Sequence, residues 1–88
     1  MTELREHKIK RLSMRSMRRG IKEMDIILSN YADKKLSDMD DAGLAQYDAL
    51  LAENDQDLYQ WVSGQVPAKP QFANLIEDIL ATMAKSHT

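Results

Sequence analysis

Two guanidinium groups and two carboxylates crowd a single glycine in the stretch Arg18-Arg19-Gly20-Ile21-Lys22-Glu23-Met24-Asp25. Groups of this kind do recognition chemistry. Guanidinium and carboxylate each pair with an opposite charge on another surface, and a glycine lets that surface come close. With Arg15 one turn earlier, the candidate binding set is Arg15, Arg18, Arg19, Gly20, Glu23 and Asp25. The same residues also make local structural sense. Glycine is favoured just past a helix C-terminus, where φ turns positive. Arginines suit the negative end of one helix dipole and Glu23 the positive end of the next. A basic helix is therefore expected to stop at Gly20, and a second helix to begin at once.

No other set of residues supports a catalytic or metal centre. The two histidines, His7 and His87, stand near the chain ends without a metal-ligand spacing. There is no cysteine, which excludes disulfides, thiolate metal sites and cysteine nucleophiles. Ser13, Ser16, Ser29, Ser37 and Ser63 lack a nucleophile-elbow context. The pairs Asp40-Asp41 and Asp55/Asp57 have the composition of an acid–base couple, but both fall at predicted helix starts, where carboxylates cap backbone N–H groups. Gly20, Gly43 and Gly64 are isolated, so there is no phosphate loop or dinucleotide fingerprint. Met14, Met17, Met24, Met39 and Met83 read as packing material and adaptable contact surface, not as a soft-metal site. Met14 and Met17 lie one turn apart on the basic helix, an apolar spot ringed by arginine.

The elements that must position these residues all read as helices. In 88 residues one domain, 1–88, is expected, with its core over 4–84 and a frayed tail at 85–88. No four-residue alternation or Asn-Gly turn suggests a strand. The first helix spans 4–18 with a thin apolar face of Leu4, Ile9, Leu12 and Met17. The second spans 20–33 with Ile21, Met24, Ile27, Leu28 and Tyr31 on one stripe. Ser37 is the expected N-cap of a third helix over 38–52, burying Leu44, Tyr47, Leu50 and Leu51. Asn54 or Asp55 caps a fourth over 55–63, with Leu58, Trp61 and Val62 inward and Gly64 as its stop. Pro70 opens a fifth over 70–84, where Phe72, Leu75, Ile76, Ile79, Leu80 and Met83 recur at helical spacing. The fold class is an all-α, compact five-helix bundle. Its second, third and fifth helices supply most of the core, which leaves the first best spared for contact with a partner.

Charge sharpens that assignment. Residues 1–22 hold Arg5, Lys8, Lys10, Arg11, Arg15, Arg18, Arg19 and Lys22 against Glu3 and Glu6, a net +6. The remainder therefore carries −8 to give the total of −2. Such a dipole has two compatible readings: the halves attract each other, or the basic head meets an anionic partner. The basic segment is read as part of the mature fold and not as a transit peptide, and no apolar run approaches the roughly 20 residues of a membrane span. A basic helix, tight turn and second helix loosely mimic a DNA-binding motif. The second helix, however, carries Glu23, Asp25 and Asp33, and the isoelectric point is 5.6. The residues alone thus point to a small helical adaptor that docks by a charged corner. An antitoxin-like or cytoskeleton-binding regulator and a nucleic-acid-binding module stay open beside it.

The corner and a later segment resemble one family, the small FAD assembly factors of succinate dehydrogenase. The family's Arg-Gly-x-x-Glu motif is matched by Arg19, Gly20 and Glu23, and runs on into Met24-Asp25-Ile26-Ile27-Leu28. A Leu-Leu-x-x-x-Asp-x-Asp-Leu-x-x-Trp signature is matched by Leu50, Leu51, Asp55, Asp57, Leu58 and Trp61. The similarity covers residues 9–82. Many relatives carry an aromatic just before the Arg-Gly pair, where this chain has Met14, Met17 and Arg18. The resemblance implies a non-enzymatic, cytoplasmic, bacterial, monomeric chaperone. Its implied partner is the flavoprotein subunit of succinate dehydrogenase and of fumarate reductase. Covalent attachment of FAD then takes place on a histidine of that client, with no tightly held cofactor, catalytic residue or metal in the chaperone itself. Arg19 and Glu23 would pair with client charges, and Arg15 and Arg18 would steer the encounter.

Overall fold

The apolar stripes read from the sequence close onto one another in a computed structural model, which describes residues 3–86. Five α-helices follow in order: α1 (Arg5–Arg15), α2 (Lys22–Lys35), α3 (Asp41–Leu51), α4 (Asp55–Val62) and α5 (Ala73–Ser86). Short 3-10 turns, Leu36–Asp38 and Pro70–Phe72, precede α3 and α5. No strand occurs among the described residues, so the expected all-α bundle is the observed one.

The core is shared as expected. From α2 come Met24, Leu28, Tyr31 and Ala32; from α3, Leu44, Tyr47, Leu50 and Leu51; from α5, Leu75, Ile76 and Ile79. Trp61 of α4 closes one end against Phe72, their ring centroids 6.1 Å apart. Tyr31 and Tyr47 meet in the middle at 5.7 Å. Burying each large side chain contributes about 2 kcal/mol.

Helix α1 buries only Leu12, so its apolar hold on the body is small. Ile9 packs partly buried against the core beside it, and charged hydrogen bonds add to the hold. Arg5 donates to the carbonyls of Ser37 (3.1 Å) and Met39. Arg11 donates to Glu3 at 2.9 Å and to Asp48 at 3.2 Å, and Arg15 also pairs with Asp48. The Arg11 guanidinium holds the Glu3 carboxyl below the usual carboxylate range. The basic head is thus drawn onto the acidic body, one of the two readings of the charge asymmetry.

Several local expectations are corrected. Leu4 precedes α1 and is 59% exposed, and Leu80, expected in the core, is also exposed. Ile21 is the N-cap of α2 and lies ahead of the helix, though its side chain still packs against the core as the stripe predicts. Ser37 does not cap α3, because the 3-10 turn Leu36–Asp38 intervenes; Asp40 does, accepting from the Gly43 N–H at 2.7 Å. Asn54 and not Asp55 caps α4, accepting from the Gln56 N–H. Helix α5 begins after the 3-10 turn and runs through Ser86, so residues 85 and 86 are helical and not a frayed tail. His87 and Thr88 lie outside the described residues. Gly64 does end α4, at φ 82. Gln65 N–H bonds back to the Gln60 carbonyl at 3.0 Å, and Gly64 N–H to that of Trp61, the paired bonds of a Schellman turn.

Candidate docking site

Helix α1 ends earlier than Gly20. Its last residue is Arg15, and the Ser16 N–H closes it on the Leu12 carbonyl at 3.0 Å. Ser16 is buried, and its hydroxyl bonds both the Leu12 carbonyl (2.8 Å) and the Tyr47 phenol (2.6 Å). Burial pushes the Tyr47 hydroxyl up to about 12. The helix end is thereby pinned to the core through α3, and residues 16–21 form the elbow into α2.

The reversal in this elbow is made by Arg18, at φ 55, and not by Gly20, which lies outside the positive-φ region. A non-glycine residue in that conformation costs roughly 1–2 kcal/mol and persists only where its surroundings hold it. Asp25 is one such holder. Its Oδ2 accepts from the Arg18 N–H at 2.9 Å and its Oδ1 from the Ser29 hydroxyl at 3.2 Å. Asp25 therefore braces the elbow from within α2.

Asp55 is the other holder. Its Oδ1 accepts from Arg19 Nε at 2.7 Å and lies 2.6 Å from Nη2 in the ion pair, while its Oδ2 accepts from the Gly20 N–H at 2.6 Å. Arg19 also donates through Nη1 to the Arg15 carbonyl (3.1 Å) and through Nη2 to the Leu51 carbonyl (3.2 Å). One guanidinium thus ties the C-terminal ends of α1 and α3 to the N-terminus of α4. These are the helix ends whose carbonyls lack internal donors, and the end whose dipole favours a carboxylate. The Arg19 side chain is 11% exposed and that of Asp55 18%. Arg19 thus has its anion inside the fold, where the sequence suggested one on a client. Gly20 is small for a reason other than φ: a Cβ there would stand 3.1 Å from Asp55 Oδ2.

What faces outward is the remainder. Arg18, Gly20, Lys22 and Glu23 are exposed, and among the described residues no ion pair engages the side chain of Arg18 or Glu23. Met14 and Met17 beside them are 63% and 49% exposed, an apolar surface that water covers poorly. Arg15, partly buried, keeps its pairing with Asp48. An open cleft of about 420 Å³ adjoins the elbow, lined by Arg19, Gly20, Ile21, Asn54, Asp55 and Gln56. The structure joins Arg18, Arg19, Gly20 and Asp25 in one hydrogen-bonded elbow, while the Arg15 guanidinium turns to Asp48 on α3 and Glu23 stands exposed in the first turn of α2. It divides them into an outward set (Arg18, Gly20, Glu23) and an inward set (Arg19, Asp25, and Arg15 in part). Sequence reasoning missed Asp55 as part of this corner and took it for a helix cap. The one available signal was the recurrence of its segment together with the Arg-Gly pair.

A family model described as flavinator of succinate dehydrogenase matches residues 10–83. Similar curated proteins include the mitochondrial succinate dehydrogenase assembly factor 2 of Drosophila grimshawi, 38% identical over 78 residues, 86% of this chain and 53% of that protein. The protein of the same name from Mycosarcoma maydis is 38% identical over 73 residues, 83% of this chain and 31% of that one. That from Meyerozyma guilliermondii is 43% identical over 68 residues, 77% of this chain and 50% of that one. The chain thus spans half or less of the length of two of these relatives and little more than half of the third. The expected bacterial, cytoplasmic location is overturned by the same findings, since these relatives are eukaryotic and named mitochondrial. Among the described residues no helix is long and apolar enough to cross a membrane.

Proposed function

The chain belongs to the family of succinate dehydrogenase flavinators, assembly factors and not catalysts, and on that premise we propose that it binds the flavoprotein subunit of succinate dehydrogenase through the α1–α2 elbow. It acts there as a monomeric chaperone for covalent attachment of FAD, and the related subunit of fumarate reductase is a second client. The observation that carries this reading is the outward set. A guanidinium, a carboxylate and two methionines are left uncovered around a bare glycine edge, on a turn whose Arg18 and Gly20 N–H groups are held by carboxylates from within the fold.

The physics is that of selective binding. Joining FAD to a client histidine needs the flavin ring held against the imidazole, and orienting two reactants lowers a barrier by several kcal/mol. A chaperone favours that geometry only by binding the competent client conformer more tightly than the others. Glu23 pairs with a client cation, Gly20 permits close backbone approach, and Met14 and Met17 adapt to the apolar rim. Arg18, and Arg15 where Asp48 leaves it exposed, steer the encounter. The histidine and the flavin belong to the client, so the chaperone needs no tightly bound FAD of its own.

The test is covalent-flavin fluorescence of the client subunit in a denaturing gel, with the wild-type chain, with Glu23→Ala and with no added chain. The expected result is strong fluorescence with wild type and clearly less with Glu23→Ala at equal helicity. Equal flavinylation by the two proteins removes Glu23 from the site, and flavinylation that ignores the chain altogether removes the function.

A further inference from the structure

The two sequence signatures, Arg19-Gly20 and the segment opening at Asp55, lie 35 residues apart and meet at one carboxylate. We infer that Asp55 is a positioning residue for client docking: it holds the Arg19-Gly20 backbone in the shape that Glu23, Arg18 and the bare Gly20 edge present to the partner, without touching the partner itself. The inference rests on the docking reading above and adds to it the division of the motif into an inner latch and an outer handle.

The geometry is specific to this purpose. Asn54 already caps α4, so the Asp55 side chain is not consumed by its own helix and is free to reach across to the elbow. Its two oxygens do different things. Oδ1 takes the Arg19 guanidinium, and Oδ2 takes the Gly20 N–H at 2.6 Å. Charge-assisted bonds of this kind are about twice as strong as neutral ones. Asp25 takes the Arg18 N–H from the other side. The N–H groups at 18 and 20 are therefore held by two carboxylates from two different helices, and between them lies the residue bonded through its side chain. The backbone that enters α2, and with it the direction of Glu23 in the first turn of that helix, is set by these bonds. Gly20 and Asp55 also constrain each other, since a Cβ at position 20 would stand 3.1 Å from Oδ2. Preorganisation of a docking turn raises affinity by removing the ordering cost on binding.

The experiment measures binding to the purified flavoprotein subunit before flavin attachment, by calorimetry at a temperature where every variant is folded. Four variants are compared with wild type: Asp55→Asn, Asp55→Glu, Glu23→Ala and Asp40→Ala. Asp40 caps α3 near the backbone that Arg5 grips, at the far end of α1 from the elbow, so its loss lowers stability without reaching the turn. Asp55→Glu keeps the charge beside Arg19, and hence the fold, while displacing the oxygen that meets Gly20. The expected result is a tenfold or greater loss of affinity for both Asp55 variants, faster hydrogen exchange at the Gly20 amide, and unchanged affinity for Asp40→Ala. The flavinylation rate should return to the wild-type plateau at saturating variant concentration. Asp55 variants that bind within twofold of wild type while Glu23→Ala loses tenfold would overturn the inference and leave the docking reading standing. An equal loss in Asp40→Ala would also overturn it, by reducing the effect to general destabilisation. Wild-type affinity in Glu23→Ala and both Asp55 variants would overturn the docking reading together with the inference.

Discussion

Replacing Arg19 with alanine is expected to lower the stability of the fold by about 3 kcal/mol, while the same change at neighbouring Arg18 leaves it within about 0.5 kcal/mol. The contrast follows from where the two guanidinium groups lie. Arg18 is exposed and lacks an ion-pair partner among the described residues. Arg19 is nine-tenths covered and faces a carboxylate that is itself only 18% exposed. Removing one member of a buried pair costs roughly 3–5 kcal/mol, because the other charge is left without a partner. The open cleft beside Asp55 readmits some water, which lowers that figure. The carbonyls of Arg15 and Leu51 lose a donor as well, at about 1 kcal/mol each where no water replaces it. A net loss near 3 kcal/mol corresponds to a fall of roughly 12–24 °C in the melting midpoint of a domain this size. Thermal unfolding followed by circular dichroism reads the difference directly. The double variant Arg19→Ala/Asp55→Ala should be less destabilised than the two single losses added together, since removing the second charge relieves the first. Equal midpoints for Arg18→Ala and Arg19→Ala would refute the reasoning, and so would a larger loss at Arg18.

Two further outcomes follow from the same elbow and core. Arg18→Gly should raise stability by about 1 kcal/mol, by relieving the positive φ, yet slow association with the client at low salt, as seen by stopped-flow mixing. Alkali should weaken the fold. The Tyr47 hydroxyl, ordinarily titrating at 10, is pushed up to about 12 by burial, so the native state keeps a proton that the unfolded chain gives up. Its contribution is complete below pH 10 and is lost as pH rises to 12, by about 3 kcal/mol. Tyr31, raised by burial and by its bond to Asp78, steepens the same loss. Urea midpoints at pH 9 and pH 11 check this, and Tyr47→Phe should flatten the decline.

What was legible in the sequence was what depends on neighbours a turn away. The stripe of α5 apart from Leu80, the core residues of α3 and the stop at Gly64 needed only helical periodicity and one permissive residue. What failed depended on distant parts. Ser37, Asp38, Asp40 and Asp41 are all competent caps by local rules, and the choice of Asp40 goes with a 3-10 turn whose carbonyls Arg5 grips from more than thirty residues away. Asn54 caps α4 because Asp55 is engaged elsewhere, a fact that no local window contains. At the elbow, Gly20 carried the usual mark of a helix terminator. Its real constraint is the carboxylate pressed against it, and the positive φ fell to Arg18, where Asp25 receives its N–H. Arg18, Arg19, Gly20 and Asp25 do share one hydrogen-bonded turn, but the division of the six candidates into inward and outward members could not be read without the partner of Arg19.

In the proposed docking, the exposed face of the α1–α2 elbow seats the client while the Arg19–Asp55 contact holds it in shape. Titrating the isotopically labelled chain with the unflavinylated flavoprotein subunit, and following backbone amides by NMR, tests it most directly. The largest shifts and broadening are expected on residues 17–23, with the core of α5 unmoved. Perturbation confined to another face, with the amides of Arg18, Gly20 and Glu23 unchanged at saturation, would contradict it.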